Sequence, residues 1–203
     1  MTIGGITIHQ DGIGKALRER VNAHIRQILA EHGPSAFEMP KRAAAVHEAG
    51  HIVIDSVLGI ETTNVFIEAR AIKGKLAWGG YSEAPDLEFF DTPDCPASFE
   101  TLLNRSRSLF AGLTAEDLFA GEDRREGSSV DEIFASQLVC EIACSRRPDS
   151  DAESIWQNDV VAWCARQLQH NGTVHGEIAD ALMDNRRIRG KRLRDLCVKV
   201  EAA

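Results

Sequence analysis

No apolar run in this chain approaches the length of roughly 20 residues that a membrane-spanning helix needs. The opening stretch, MTIGGITIHQDG, has neither a basic leader nor a long apolar segment, so a secretory signal is not expected. Positive charge is in deficit: 23 Lys and Arg face 31 Asp and Glu, a net charge of −8. That balance argues against the phosphate-neutralising term that drives nucleic-acid binding. It argues equally against an anionic membrane surface as the main partner. Cysteine is sparse and odd in number, at positions 95, 140, 144, 164 and 197. A chain this long needs no disulfide staples, so the thiols read as buried small hydrophobes in a reducing compartment, and the cytoplasm is the expected location. There is no internal repeat, no low-complexity tract, no Gly-x-Ser-x-Gly elbow and no catalytic-cysteine signature.

What is present is an ordinary globular balance over 203 residues, 43% hydrophobic and 27% charged. One domain, or one domain with a small extension, fits that length. Hydrophobic spacing predicts a helix over 12–31, with Ile13, Leu17, Val21, Ile25 and Ile28 on one face. A linker follows at 32–40, then a helix over 41–58 with Val46, Val53 and Val57 along one stripe. Strand-like runs at 64–69 and 75–81 flank a turn at Lys73-Gly74, and 82–96 reads as an acidic loop. The remainder is helical, with caps expected at Ser98, at Ser129 (with Glu132) and at Ser150 (with Glu153). The predicted class is mainly α (α+β), with a small sheet inserted after the second helix. Residues 1–38 form an N-terminal arm and helix, and 39–203 form the principal domain.

The sharpest feature is His47-Glu48-Ala49-Gly50-His51 on that second helix. Histidines four apart stack on one helical face, where two imidazoles can share a zinc ion. Glu48 stands where a general base for a hydrolytic water belongs. About 0.02 chance matches to this pattern are expected for this composition. Gly50 costs about 1 kcal/mol of helix propensity relative to Ala, which a close-approaching neighbour would offset. A third ligand is not given by spacing. The x-x-Gly-x-x-His continuation is absent, with Ile54 and Val57 in those places, while Glu61 and Glu68 are available acids. Two weaker signals, a cysteine pair at 140 and 144 and a basic run from Arg186 to Arg194, read as core thiols and a solvated face.

The run KRAAAVHEAGHIVIDSVLG resembles the zinc-binding helix of the FtsH-type metalloproteases. WGGYSEAPDLE (78–88), SLFAGLTAEDLFAGE (108–122), GSSVDEIFASQLV (127–139) and IADALMDNRRIRGKRLRDLC (178–197) resemble further segments of that peptidase domain, in the same order. The resemblance implies a helical zincin-type peptidase domain. His47, His51 and Asp131 would bind Zn2+, Glu48 would act as base, and Trp78, Gly79, Gly80 and Tyr81 would form the strand that holds substrate. It implies a metalloendopeptidase acting on peptides or unfolded polypeptides. The chain departs from the family in lacking its arginine, where Leu113 stands, and in lacking any phosphate-binding loop. Without an ATPase it would cut flexible chains unless a separate unfoldase feeds it. A homo-oligomer, up to a hexamer, stays open. The alternative is a zinc-binding, catalytically silent regulatory or assembly module. A metal-free interaction domain would instead hold the three ligand side chains more than about 8 Å apart.

Overall fold

The computed structural model describes residues 2–3, 6–7, 11–72, 75–83, 97–127, 129–147 and 149–203, with side chains from 18 onward apart from those of 70, 72 and 75. The Lys73-Gly74 turn, most of the acidic segment 82–96, Ser128 and the side chains of Ile13 and Leu17 fall outside the described residues. The described chain is mainly helical with a small antiparallel sheet.

Two short strands, β1 (Thr2–Ile3) and β2 (Ile6–Thr7), pair with each other ahead of α1 (Asp11–His32). Gly33, at φ +71°, turns the chain into a 3-10 segment, Pro34–Phe37. Then comes α2 (Lys41–Val57), the element around which the rest is arranged. Its valine stripe predicts one buried face. Instead the helix is buried nearly all round, from Ala43 through Asp55 with only His51 partly open. The reason is its neighbours: α3 (Phe99–Phe119), α6 (Ala162–His170), α7 (Gly172–Asn185) and the sheet all pack on it. Small residues allow this. A Cβ on Gly50 would lie 2.5 Å from the Ala115 Cβ and 2.8 Å from the Ala111 carbonyl, so the α2–α3 crossing depends on that glycine.

The sheet has the order β4-β3-β5 and is wholly antiparallel. Strands β3 (Asn64–Ile72) and β4 (Lys75–Glu83) form the hairpin expected from the sequence. The third strand, β5 (Arg187–Arg189), has no sequence signal; it is too short to show alternation. Val65, Ile67 and Ile188 join the core around α2, with Trp78 packed alongside. Members of the basic run are spent on this sheet. Arg186 lies over the Trp78 ring at 5.3 Å and Arg187 over Phe66 at 4.8 Å. Both are cation–π contacts.

Ser98 caps α3 as expected, accepting the Thr101 N–H at 3.1 Å. Helix α4 (Val130–Ser145) packs on α3 and on α1, where Ile28 meets Val130. The next helix starts as α5 (Ala152–Ile155), passes through a π-helical stretch at Trp156–Val161, and continues as α6. Its cap is Asp151, which accepts the Glu153 N–H, while Ser150 turns back to the carbonyls of Cys144 and Arg147. After β5 comes α8 (Gly190–Cys197). The buried side chains of Gln167 and Asn171 then hold the last residues, each both donating to and accepting from the backbone of Ala203 and Glu201 respectively. None of the described helices is long and apolar enough to cross a membrane.

Candidate metal centre

Histidines one helical turn apart on α2 present their rings to the same side. The His47 and His51 Nε2 atoms are 3.0 Å apart. Glu132, in the first turn of α4, reaches the same point: its Oε2 lies 3.2 Å from His47 Nε2 and 3.7 Å from His51 Nε2. Ligand atoms at ~2.05 Å from a tetrahedral zinc would be separated by ~3.3 Å. The observed separations straddle that value. Glu132 Oε2 is inaccessible to solvent and has no hydrogen-bond partner. These three side chains form a group that could hold a metal ion.

The outer partners decide which ring nitrogens face inward. Glu116, fully buried on α3, sits 2.7 Å from His47 Nδ1, and a carboxylate there draws a proton onto that nitrogen. The Ser108 carbonyl, also on α3, is 2.9 Å from His51 Nδ1 and can only accept. In its neutral form each imidazole therefore carries its proton on Nδ1 and turns an Nε2 lone pair toward the other and toward a carboxylate oxygen. Three lone pairs aimed at one point repel unless a cation lies among them. Ser129 reinforces the arrangement, its hydroxyl donating to Glu116 at 3.1 Å. The Ser108 hydroxyl donates to buried Asp55 at 2.7 Å, which ties the carbonyl-bearing residue back to α2.

Two glycines make room. A Cβ on Gly112 would overlap the His47 ring, and a Cβ on Gly80 would overlap the Glu48 side chain. Thus α3 cradles the first histidine, and β4 lies directly over the glutamate of the motif.

Charge in this region is unbalanced. Glu48, Asp55 and Glu116 are buried and Glu132 is partly so, against Arg105, the one fixed cation buried among the described residues. The titration shifts reflect that surplus. Burial pulls the His47 imidazole down, but Glu132, Glu116 and Glu48 outweigh it and hold its pKa well above the ordinary value. His51 is likewise raised, with burial opposed chiefly by Glu132. Burial would raise Glu132, yet the two histidines hold it well below the usual carboxylate range. Burial raises the Glu48 carboxyl, with the histidines opposing. A base at raised pKa is better matched to neutral pH.

His47, Glu48 and His51 are brought together as the motif requires. Asp131 is not part of the group: it is exposed on the outer side of the first turn of α4. Ser129 adopts a left-handed conformation, φ 59°, before the helix begins, and the following turn rotates Glu132 rather than Asp131 inward. A single step along a helix turns a side chain by about 100°. Glu61 and Glu68, the available acids of the sequence reading, are exposed and do not belong to the group. Ser129 and Glu132 have the spacing of a capping box, but Ser129 makes no cap hydrogen bond, and both side chains serve the centre instead. Sequence spacing also misses Glu116 and Gly112. Their one signal is a glycine inside a helical run with an acid one turn on.

Trp78, Gly79, Gly80 and Tyr81 lie on β4, the edge of the sheet. In an antiparallel strand alternate residues turn their backbone groups outward. Trp78 is one, and its N–H is taken by the Met39 carbonyl at 2.9 Å. Gly80 is the next, and no described strand covers it. Tyr81 pairs with Phe66 through the backbone while its ring, 56% exposed, lies on the outer face of the sheet. Comparison of the chain with known protein families and with characterised proteins finds no match to either.

Proposed function

We propose that this chain is a zinc-dependent metallopeptidase resembling the FtsH peptidase domain, with His47, His51 and Glu132 as metal ligands and Glu48 as general base. The observation that carries the reading is the convergence of two Nε2 lone pairs and one unpartnered carboxylate oxygen beside a buried glutamate. Nitrogen and oxygen donors in a three-ligand set suit zinc and leave a fourth position open. Zinc held there supplies Lewis acidity, polarising a carbonyl and making water acidic near neutral pH. Glu48 takes the proton from the attacking water and passes it to the departing amine. Glu116 and the Ser108 carbonyl keep both rings oriented through that exchange. The Gly80 backbone, at an edge of β4 that no described strand covers and against Glu48, supplies the rail along which an extended peptide can add as a strand. Such backbone recognition suits flexible or unfolded substrates and needs no ATPase of the chain's own. Membership of a ring and delivery by a separate unfoldase remain part of this proposal.

The test is metal content and cleavage of an unfolded protein such as casein, for the wild type and Glu48→Gln. One zinc per chain in both proteins, with cleavage lost only in the variant, is the expected result. Equal cleavage by the zinc-loaded variant would end the proposed role of Glu48. Full zinc occupancy without any cleavage by the wild type would favour the silent module.

A further inference from the structure

We infer that Arg105 is a specificity residue that recognises a carboxylate on the substrate. The inference rests on the peptidase reading above and names the chemistry that its site would select.

Arg105 is 5% exposed, and its Nε has no hydrogen-bond partner. Arginine cannot shed its proton in a protein, so this is a retained buried charge. Among the described residues it enters no ion pair, although acids surround it. Asp55 accepts from the Ser108 hydroxyl instead, and Glu132 is turned toward the histidines. Arg105 is thus a planar donor fork held ready with no carboxylate in it.

Its placement ties it to the site. On α3, positions 105, 108, 112 and 116 follow at steps of three, four and four, which is one helical face. The other three residues of that face touch the centre: the Ser108 carbonyl meets His51, Gly112 cradles His47, and Glu116 meets His47 Nδ1. Arg105 is the fourth, one turn beyond Ser108. The carboxylates whose charge acts on it are Asp55 and Glu132. The face it shares with Ser108, Gly112 and Glu116 sets it on the side of α3 that meets the metal ligands. A purely structural arginine would be expected to close on Asp55. This one leaves its donors open, and a carboxylate is the group whose geometry matches them in bidentate fashion.

Two sources offer that group: the terminal carboxylate of a peptide, or an acidic side chain next to the cleaved bond. The experiment uses zinc-loaded protein and casein-derived peptides that it cleaves, in two matched pairs. One pair differs in free-acid against amide C-terminus, the other in Glu against Gln beside the cleaved bond. The wild type is expected to prefer the carboxylate member of one pair by ~10–100-fold in kcat/KM. Preference in the first pair assigns the terminus, and preference in the second assigns the side chain. Arg105→Gln should abolish the preference, bringing the ratio of the two kcat/KM values close to one, and Arg105→Lys should retain part of it. No preference in the wild type, a preference that survives in Arg105→Gln, or equal loss on both members would overturn the inference. Calorimetric binding of the same pairs to zinc-loaded Glu48→Gln, with and without Arg105→Gln, gives a second reading that needs no turnover. Failure of cleavage alone removes the peptidase proposal and leaves this comparison to judge Arg105.

Discussion

Gly112→Ala isolates the cradle that α3 makes for His47. Two effects oppose each other in the metal-free protein. Alanine in place of helical glycine stabilises by about 1 kcal/mol. The added methyl overlaps the His47 ring. Overpacking of that kind costs about 1–3 kcal/mol. Subtracting the propensity gain from the packing cost leaves a net loss of up to about 2 kcal/mol. Metal affinity has no such compensation. Ligand atoms must sit within about 0.2 Å of their places. The ring is pinned between Gly112 on one side and Glu116 on the other. Displacing a ligand should weaken zinc binding by at least ~100-fold, about 2.8 kcal/mol. Gly176→Ala is the control. It is also helical, in α7, but its Cβ would meet nothing within 4 Å. It should gain about 1 kcal/mol and leave zinc affinity unchanged. Chelator competition gives the affinities, and thermal unfolding with and without zinc gives the stabilities. Wild-type zinc affinity in Gly112→Ala would refute the placement of the His47 ring, and with it the reading of that glycine as part of the site.

The neighbouring acids of α4 separate cleanly. Glu132→Gln should weaken zinc binding by at least ~10-fold and Asp131→Asn should bind it as the wild type does, by the same titration. Zinc uptake near pH 7 should release protons, because the histidine pKa values are raised in the metal-free protein. Affinity therefore climbs with pH until both rings are neutral, and calorimetry in buffers of different ionisation enthalpy counts those protons. His175 gives an acid limb. Burial, opposed by its bond to the Val46 carbonyl, lowers its pKa to about 4. The unfolded chain then takes up the proton first, so stability falls from about pH 6.5 down to about pH 4, by up to ~3 kcal/mol. Urea titrations across that range should show the slope, and a flat profile would mean His175 is not buried neutral.

The parts of this molecule that are legible in the sequence are those whose signal is local. The His47–His51 turn, the hairpin of β3 and β4, and the Ser98 cap each declare themselves within a few residues. Gly50 is legible as a fault in helix propensity, and the close approach of Ala111 and Ala115 accounts for it. What stays hidden depends on how distant segments meet. A capping-box spacing cannot reveal that Ser129 will take a left-handed conformation and send its partner Glu132 to a histidine far upstream. The π-helical stretch at Trp156–Val161 has no spacing signature, and β5 exists only because Ile188 finds a place beside Val65.

A group of residues that break ordinary rules of burial and propensity falls in one place. Gly50 and Gly112 sit inside helices, Glu48, Asp55 and Glu116 are carboxylates in a protein interior, and Arg105 is an interior cation with an unpartnered Nε. Each interior charge costs several kcal/mol of desolvation, against a total stability that is typically only about 5–15 kcal/mol. A fold can retain such a cluster only if positive charge reaches it. In the metal-free chain protons do part of this, which is why the histidines titrate high. A dication does it better, since it satisfies three lone pairs at once without disturbing the Nδ1 bonds to Glu116 and Ser108. Metal binding and folding stability should therefore be coupled here, so that zinc at about 100 times its Kd raises stability by up to the ~2.7 kcal/mol of mass action. A thermal shift no larger in the wild type than in Glu132→Gln would show that the cluster is balanced by something other than a metal.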